Sequence, residues 1–334
     1  MSSISESESM ISYYLKFWGI DQPVFNRYLS PGDCFIAQRH QKMHDYLQIL
    51  AQQAYTIQMI TAPDGYGKST LIRWLQSELS PQTTECYSIN IEKKETASGW
   101  LLPHLARFLS GDSKSGESPS RHLSRGLDQL KHEKRSLLVM VDSGDLLSGP
   151  NAFAEMTYLH NLGFLAGVPV NLVLAGNSTM VQSLSQIPFF SEKSSLHWTL
   201  SPLSRKESVL YLRWYFYQAR INQNPFPPQS MDSLHLHSAG VPSRLNSLAE
   251  NCLIAAALRK RKVMTPEMVE QAVRMIKNSD KSNSYDLKNQ TPHPPPAPKM
   301  RPPMAHAGVH PGKPVQEPQD EESSEPGISL FDDP

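Results

Sequence analysis

Cysteine is scarce: the chain has three, Cys34, Cys86 and Cys252, scattered along its 334 residues. No CxxC pair and no His/Cys cluster at zinc spacing accompanies them. That excludes a disulfide scaffold or zinc module and points to a reducing compartment. Long apolar runs are missing too. The longest, residues 170–176 and 252–258, fall far short of the roughly 18–20 residues needed to cross a bilayer. Residues 1–10 are polar and acidic, unlike a signal peptide. These absences predict a soluble, cytoplasmic chain without a membrane partner. Net charge is lacking as well: 32 Lys+Arg balance 32 Asp+Glu, so no global field argues for nucleic acid or membrane. The balance hides an asymmetry. Residues 279–334 hold 5 basic against 9 acidic side chains, which leaves a slightly basic body.

Four regions emerge from composition and periodicity. Residues 1–10 read as a polar leader. Residues 11–37 mix aromatic and turn residues, a packed but irregular entry, and 38–53 read as a helix with Met43, Tyr46, Leu47 and Leu50 at helical spacing. Short strand-like runs then recur at 55–61, 86–91, 137–141, 170–175 and 196–200, separated by helical stretches such as 68–79. That alternation predicts an α/β core, residues 11–200, with a parallel sheet and crossover helices. After Ser201-Pro202-Leu203 only helices are expected, at 207–219, 230–238, 243–259 and 265–277, making a small helical subdomain over 201–278. The last starts at Thr265-Pro266-Glu267, with Pro at its first helical position. Residues 279–334 contain 12 of the 27 prolines and few apolar residues; too little burial is on offer to offset ordering entropy, so a disordered tail is expected.

The strongest motif is Ala62-Pro63-Asp64-Gly65-Tyr66-Gly67-Lys68-Ser69-Thr70. It lies between a strand and an amphipathic helix carrying Leu71, Ile72 and Leu75, the context a phosphate-binding loop requires. The glycines let backbone N–H groups converge on phosphates at a helix N-terminus. Lys68 is expected to reach the β- and γ-phosphates of ATP, and the Ser69 hydroxyl to ligate Mg²⁺. Ala62 stands where the pattern has its first glycine. A second apolar strand ends in Asp142, the expected carboxylate on the metal side. The residue after it is Ser143, where an active ATPase usually has the Glu that polarises water. Asp145 is the nearest substitute, so binding is expected and turnover is expected to be weak.

These stretches resemble the ExeA/GspA-like AAA+ ATPases, relatives of the TniB and TnsC transposition ATPases. The resemblance runs from about residue 13 to 277 and includes the P-loop and the strand ending in Asp142. Leu174-Ala175-Gly176, Leu200-Ser201-Pro202-Leu203-Ser204 and Ala239-Gly240-Val241-Pro242-Ser243-Arg244-Leu245-Asn246 follow in the same order. It implies an αβα AAA+ core with a helical lid over the nucleotide. It also implies roles: Asn177 as the polar sensor after the fourth strand, Arg244 as the lid arginine, and Lys193 as a finger acting on a neighbouring subunit. Ser243 occupies the place directly after the proline, which leaves the lid register open. Lys at 193 lacks the planar fork of Arg.

His40 and His44 have the i, i+4 spacing of a zinc helix, but Gln41 replaces the needed Glu and no third ligand is evident, so an exposed helix face is expected. Arg259-Lys260-Arg261-Lys262 reads as a solvated helix end or a phosphate-backbone contact. Near the tail tip, Gly327-Ile328-Ser329-Leu330-Phe331 resembles a sliding-clamp-binding peptide, with another protein partner as the alternative. The function expected is an ATP-dependent switch in a DNA-associated process such as transposition or mobile-element maintenance, self-associating on ATP binding. The alternatives are a secretion or envelope-assembly ATPase and a hydrolysis-deficient nucleotide-binding scaffold.

Overall fold

The computed structural model describes residues 10–25, 30–53, 56–95, 97–110 and 118–275. Helices α1 (Met10–Trp18) and α2 (Gln38–Gln53) precede the first strand, β1 (Ile57–Thr61), which runs through residues 62–67 into α3 (Lys68–Glu78). Then come β2 (Thr84–Asn90), α4 (Leu102–Ser110), α5 (Pro119–His132), β3 (Ser136–Asp142), α6 (Pro150–Ala166) and β4 (Val170–Gly176). Helices α7 (Ser178–Ser185) and α8 (Pro188–Lys193) lead into β5 (Ser194–Thr199). The strands form one parallel sheet in the order β2-β3-β4-β1-β5.

Side chains alternate across the pleat and divide the core in two. Leu137, Val139 and Val141 of β3, with Leu172 and Leu174 of β4, pack against α4–α8. Leu138, Met140, Val173 and Ala175 face the opposite layer, where Met43 and Leu47 of α2 meet Ile72 and Leu75 of α3. From Leu137, β3 is therefore a continuous apolar run up to Asp142, and β4 is one interrupted by Asn171, whose Oδ1 accepts from the Thr56 N–H and hydroxyl. The result is an αβα sandwich whose ligand-facing edge is the row of strand C-termini.

A small helical subdomain follows: α9 (Arg205–Gln218), α10 (Pro228–Ser238), α11 (Pro242–Leu258) and α12 (266–275). Ser204 opens α9 with a capping box, its side chain accepting from the Glu207 N–H while the Glu207 carboxylate accepts from the Ser204 N–H. These helices share a separate apolar cluster built on Leu212, Phe216, Phe226, Leu245 and Leu253. Residues 11–37, read from sequence as packed but irregular, begin with a helix. Tyr14 and Trp18 lie one turn apart on α1 and are buried in this helical cluster, and Trp18 Nε1 donates to Leu253 O at 3.1 Å. Their aromatic crowding encodes a docking helix.

The basic run 259–262 is partly committed. Lys262 Nζ lies 4.0 Å from the centroid of Phe17 and 4.8 Å from that of Trp18, and it donates to Phe17 O. Arg259, Lys260 and Arg261 remain exposed. The tail segment 328–331 lies outside the described residues. Among those described, no helix is long and apolar enough to cross a membrane.

Candidate functional site

A cleft of about 990 Å³ opens at the C-terminal ends of the strands, between the sheet and the helical subdomain. In open parallel sheets, ligands bind in this place, outside the strand carboxyl ends where connections diverge. The 62–70 loop forms its floor. Gly65 and Gly67 have φ of +82° and +94°, a left-handed backbone in which a side chain is strained. Ala62, in place of a glycine, is buried in the apolar layer and its N–H donates to Gly176 O at 3.1 Å. It anchors the loop to β4.

Lys68 begins α3 and is 8% exposed. Its Nζ donates to Ala62 O at 2.8 Å and Pro63 O at 3.2 Å, and lies 3.4 Å from Asp64 Oδ1. A buried ammonium whose partners among the described residues all belong to its own loop suits an incoming polyanion. Asp64, Gly65, Tyr66, Gly67, Lys68, Ser69 and Thr70 all line the cleft, with Asp142, Ser143 and Asp145. Carboxylate and hydroxyl oxygens are the donor set a hard cation such as Mg²⁺ requires, so Ser69 and Asp142 fit that ion.

The turn after β3 is specific. Asp142 is buried, and its Oδ1 accepts from the Ser143 N–H at 2.8 Å. Ser143 has φ +58°, and its hydroxyl donates to Asn90 Oδ1 at 3.0 Å, tying the end of β3 to the end of β2. Asp145 Oδ1 accepts from the Asn177 N–H at 3.2 Å, linking this turn to the end of β4.

Other predicted residues stand apart from the cleft. The Asn177 side chain caps α7, accepting from Thr179 N and Oγ1. Lys193 is exposed at the end of α8. Arg244 is exposed and outside the cleft lining, whereas Ser243 is inside it. The Ser243 N–H donates to Gly65 O at 3.1 Å. Ser243, directly after the Pro242 that starts α11, is thus the residue that meets the P-loop.

Several cleft residues carry no motif in the sequence. Phe35 stands edge-on to Tyr211, with centroids 5.5 Å apart, and Tyr211 lies 4.8 Å from Tyr215. The Tyr211 hydroxyl donates to Asn246 Oδ1 at 2.8 Å, and burial pushes this phenol well above its usual range. Burial also raises the Glu250 carboxyl, opposed by the nearby Tyr14 hydroxyl and by the Phe25 N–H, which donates to its Oε2 at 3.2 Å. The available signal was two i, i+4 pairs, Tyr211/Tyr215 on α9 and Asn246/Glu250 on α11, each presenting one face. His40 also lines the cleft, and His44 is buried against the Trp74 ring. The expected exposed histidine face is therefore an inward one.

Fold and site together define a P-loop protein of AAA+ architecture. Residues 52–184 match the family described as AAA domain. The chain is 27% identical over 251 residues to General secretion pathway protein A of Aeromonas hydrophila, an overlap covering 74% of this chain and 45% of that protein. It spans less than half of that relative's length. Among solved structures, the Drosophila ORC bound to DNA matches with a TM-score of 0.57 at 15% identity, covering 87% of this chain and 72% of that one. Cdc6p from Pyrobaculum aerophilum matches with a TM-score of 0.58 at 15% identity, covering 75% and 69%. At such identity the likeness is one of fold. The resemblance to ExeA/GspA-like AAA+ ATPases drawn from the motifs holds.

Proposed function

We propose that this chain binds ATP with Mg²⁺ in the cleft, hydrolyses it slowly, and uses occupancy to set the position of the helical lid. The observation that carries the proposal is the convergence of Lys68, Ser69, Asp142 and the lid residue Ser243 on one cleft of nucleotide size. Backbone N–H groups of the loop and Lys68 would hold the phosphates, and Ser69 and Asp142 the metal. Phe35, Tyr211 and Tyr215 would wall the base. Asp145 tethers the metal strand to β4, with one carboxylate oxygen so engaged. Lys193 serves as a candidate finger toward a neighbouring subunit, and ATP-dependent self-association belongs to the same proposal.

Slow turnover follows from Ser143, whose hydroxyl is no base and is held by Asn90. Steady-state phosphate release tests this. Turnover is expected well below the ~1 s⁻¹ floor of ordinary enzymes. A rate above that floor, abolished by Lys68→Ala, would overturn the slow-switch proposal.

Two processes suit such a switch. Similarity to General secretion pathway protein A favours secretion or envelope assembly. A DNA-associated role draws on exposed Arg259, Lys260 and Arg261. A gel shift on duplex DNA with ATP or ADP separates them: ATP-dependent retardation supports the second, and none supports the first.

A further inference from the structure

We propose that the outward face of α9 is a docking surface for an acidic partner segment that carries apolar side chains. Lys206, Leu210, Arg213 and Tyr217 recur every three to four residues, which places them on one stripe of the helix, and Arg220 follows at its end. Leu210 is 55% exposed and Tyr217 79%. The neighbouring carboxylates are already committed: Asp232 holds Arg205 through two hydrogen bonds of 2.6 Å, and Glu207 faces Arg39 at 3.4 Å. Lys206, Arg213 and Arg220 make no ion pair among the described residues. The stripe is a row of uncompensated cations alternating with exposed apolar groups.

Two grooves flank it. One, about 370 Å³, has Val209, Leu210, Pro228 and Met231 in its wall, with Lys206, Arg213 and the mutually paired Arg205 and Asp232 also lining it. The other, about 590 Å³, is lined by Phe216, Tyr217 and Ile221 with Arg213 and Arg220, and no carboxylate lines it. Arg213 lines both. Aliphatic walls suit Leu, Ile or Phe side chains, and the flanking cations suit Asp and Glu on either side of them. Single-stranded nucleic acid fits less well, because it needs a series of stacking rings and the stripe offers one, Tyr217. Exposed Arg and Tyr are also the residue types that carry binding energy at protein interfaces. The opposite side of α9 holds Tyr211 and Tyr215, which line the cleft, so a docked partner would bear on a helix that also walls the cleft. The docking surface itself does not depend on what the cleft binds.

The test is fluorescence anisotropy of the full chain with a short labelled peptide in which a Leu-Phe pair is flanked by Asp and Glu. The same peptide with Lys flanks and a labelled oligo-dT are run beside it. Saturable binding of the acidic peptide alone is expected. Arg213→Glu with Arg220→Glu, and separately Leu210→Asp, should each weaken it at least about tenfold, as loss of an interface anchor does. These positions are exposed or outside the apolar cores, and unchanged circular dichroism of the variants certifies the fold. No binding of the acidic peptide, equal binding by the variants, or binding of the Lys-flanked peptide or oligo-dT in its place would overturn the proposal.

Discussion

The N–H of Ser243, in the first turn of α11, donates to the carbonyl of Gly65 in the P-loop at 3.1 Å. A Cβ added at Gly65 would sit 2.1 Å from Ser243 Oγ, on a backbone already at φ +82°. Lid and loop are therefore in direct contact, and two separable penalties oppose any side chain at position 65. The left-handed conformation costs a non-glycine residue about 1–2 kcal/mol; the collision adds to it. Gly65→Ala is expected to weaken ATP binding at least tenfold by titration calorimetry. Adding Ser243→Gly should restore part of the loss, since it removes the collision and leaves the backbone strain. Simple additivity of the two changes would refute the contact.

Arg39, near the start of α2, bridges to the hinge of the lid. It donates to Ser201 O at 3.0 Å and Pro202 O at 3.1 Å, besides its ion pair with Glu207. Part of this guanidinium is exposed, so the ion pair itself contributes little. The two carbonyl bonds are worth about 1 kcal/mol each. Arg39→Ala should lower unfolding free energy by about 1–2 kcal/mol in urea melts. It should also raise amide exchange at 201–205 more than in the sheet. Uniform exchange throughout would count against a hinge role.

His40 gives a pH signature. Burial and then the charge of Arg39 lower its imidazole from 6.5 to about 4, with Glu207 opposing. Its Nε2 is buried without a partner among the described residues. The folded state holds the ring neutral while the unfolded chain protonates it near 6.5. Stability from this group is therefore complete above pH 6.5 and falls as pH drops toward 4. Thermal melts across that window should show a shallower decline for His40→Gln than for the wild type. Parallel curves would place the pH dependence elsewhere.

On the proposed function, Ser143 is what keeps hydrolysis slow. Replacing it with Glu supplies a carboxylate beside Asp142 but puts a long side chain at φ +58° and removes the bond to Asn90. Ser143→Glu should cost about 1 kcal/mol of stability, from the lost bond to Asn90, since serine already carries the left-handed backbone, and raise phosphate release at least tenfold. Stability loss without any gain in rate would mean that something other than the missing carboxylate limits turnover.

The sheet was largely legible because its strands obey one rule. Residues 137–141 and 172–175 are apolar on both faces, as a strand buried on both sides favours. The P-loop was legible because its backbone demands glycine and its chemistry demands Lys68 and Ser69. The aromatic wall of the cleft was not legible, since Phe35 meets Tyr211 only through the lid packing on the core. Helix α1 was hidden by its short length and its aromatic content, which serve docking onto α11. Arg244 is exposed while its neighbour Ser243 lines the cleft, because one residue of register along a helix turns a side chain by about 100°.

Titration of the full chain with Mg·ATP, alongside Lys68→Ala, tests the central claim most directly. One saturable site is expected in the wild type, lost in the variant while its far-ultraviolet spectrum stays unchanged. Absence of binding in the wild type, or equal binding in both proteins, would contradict a nucleotide site at the P-loop.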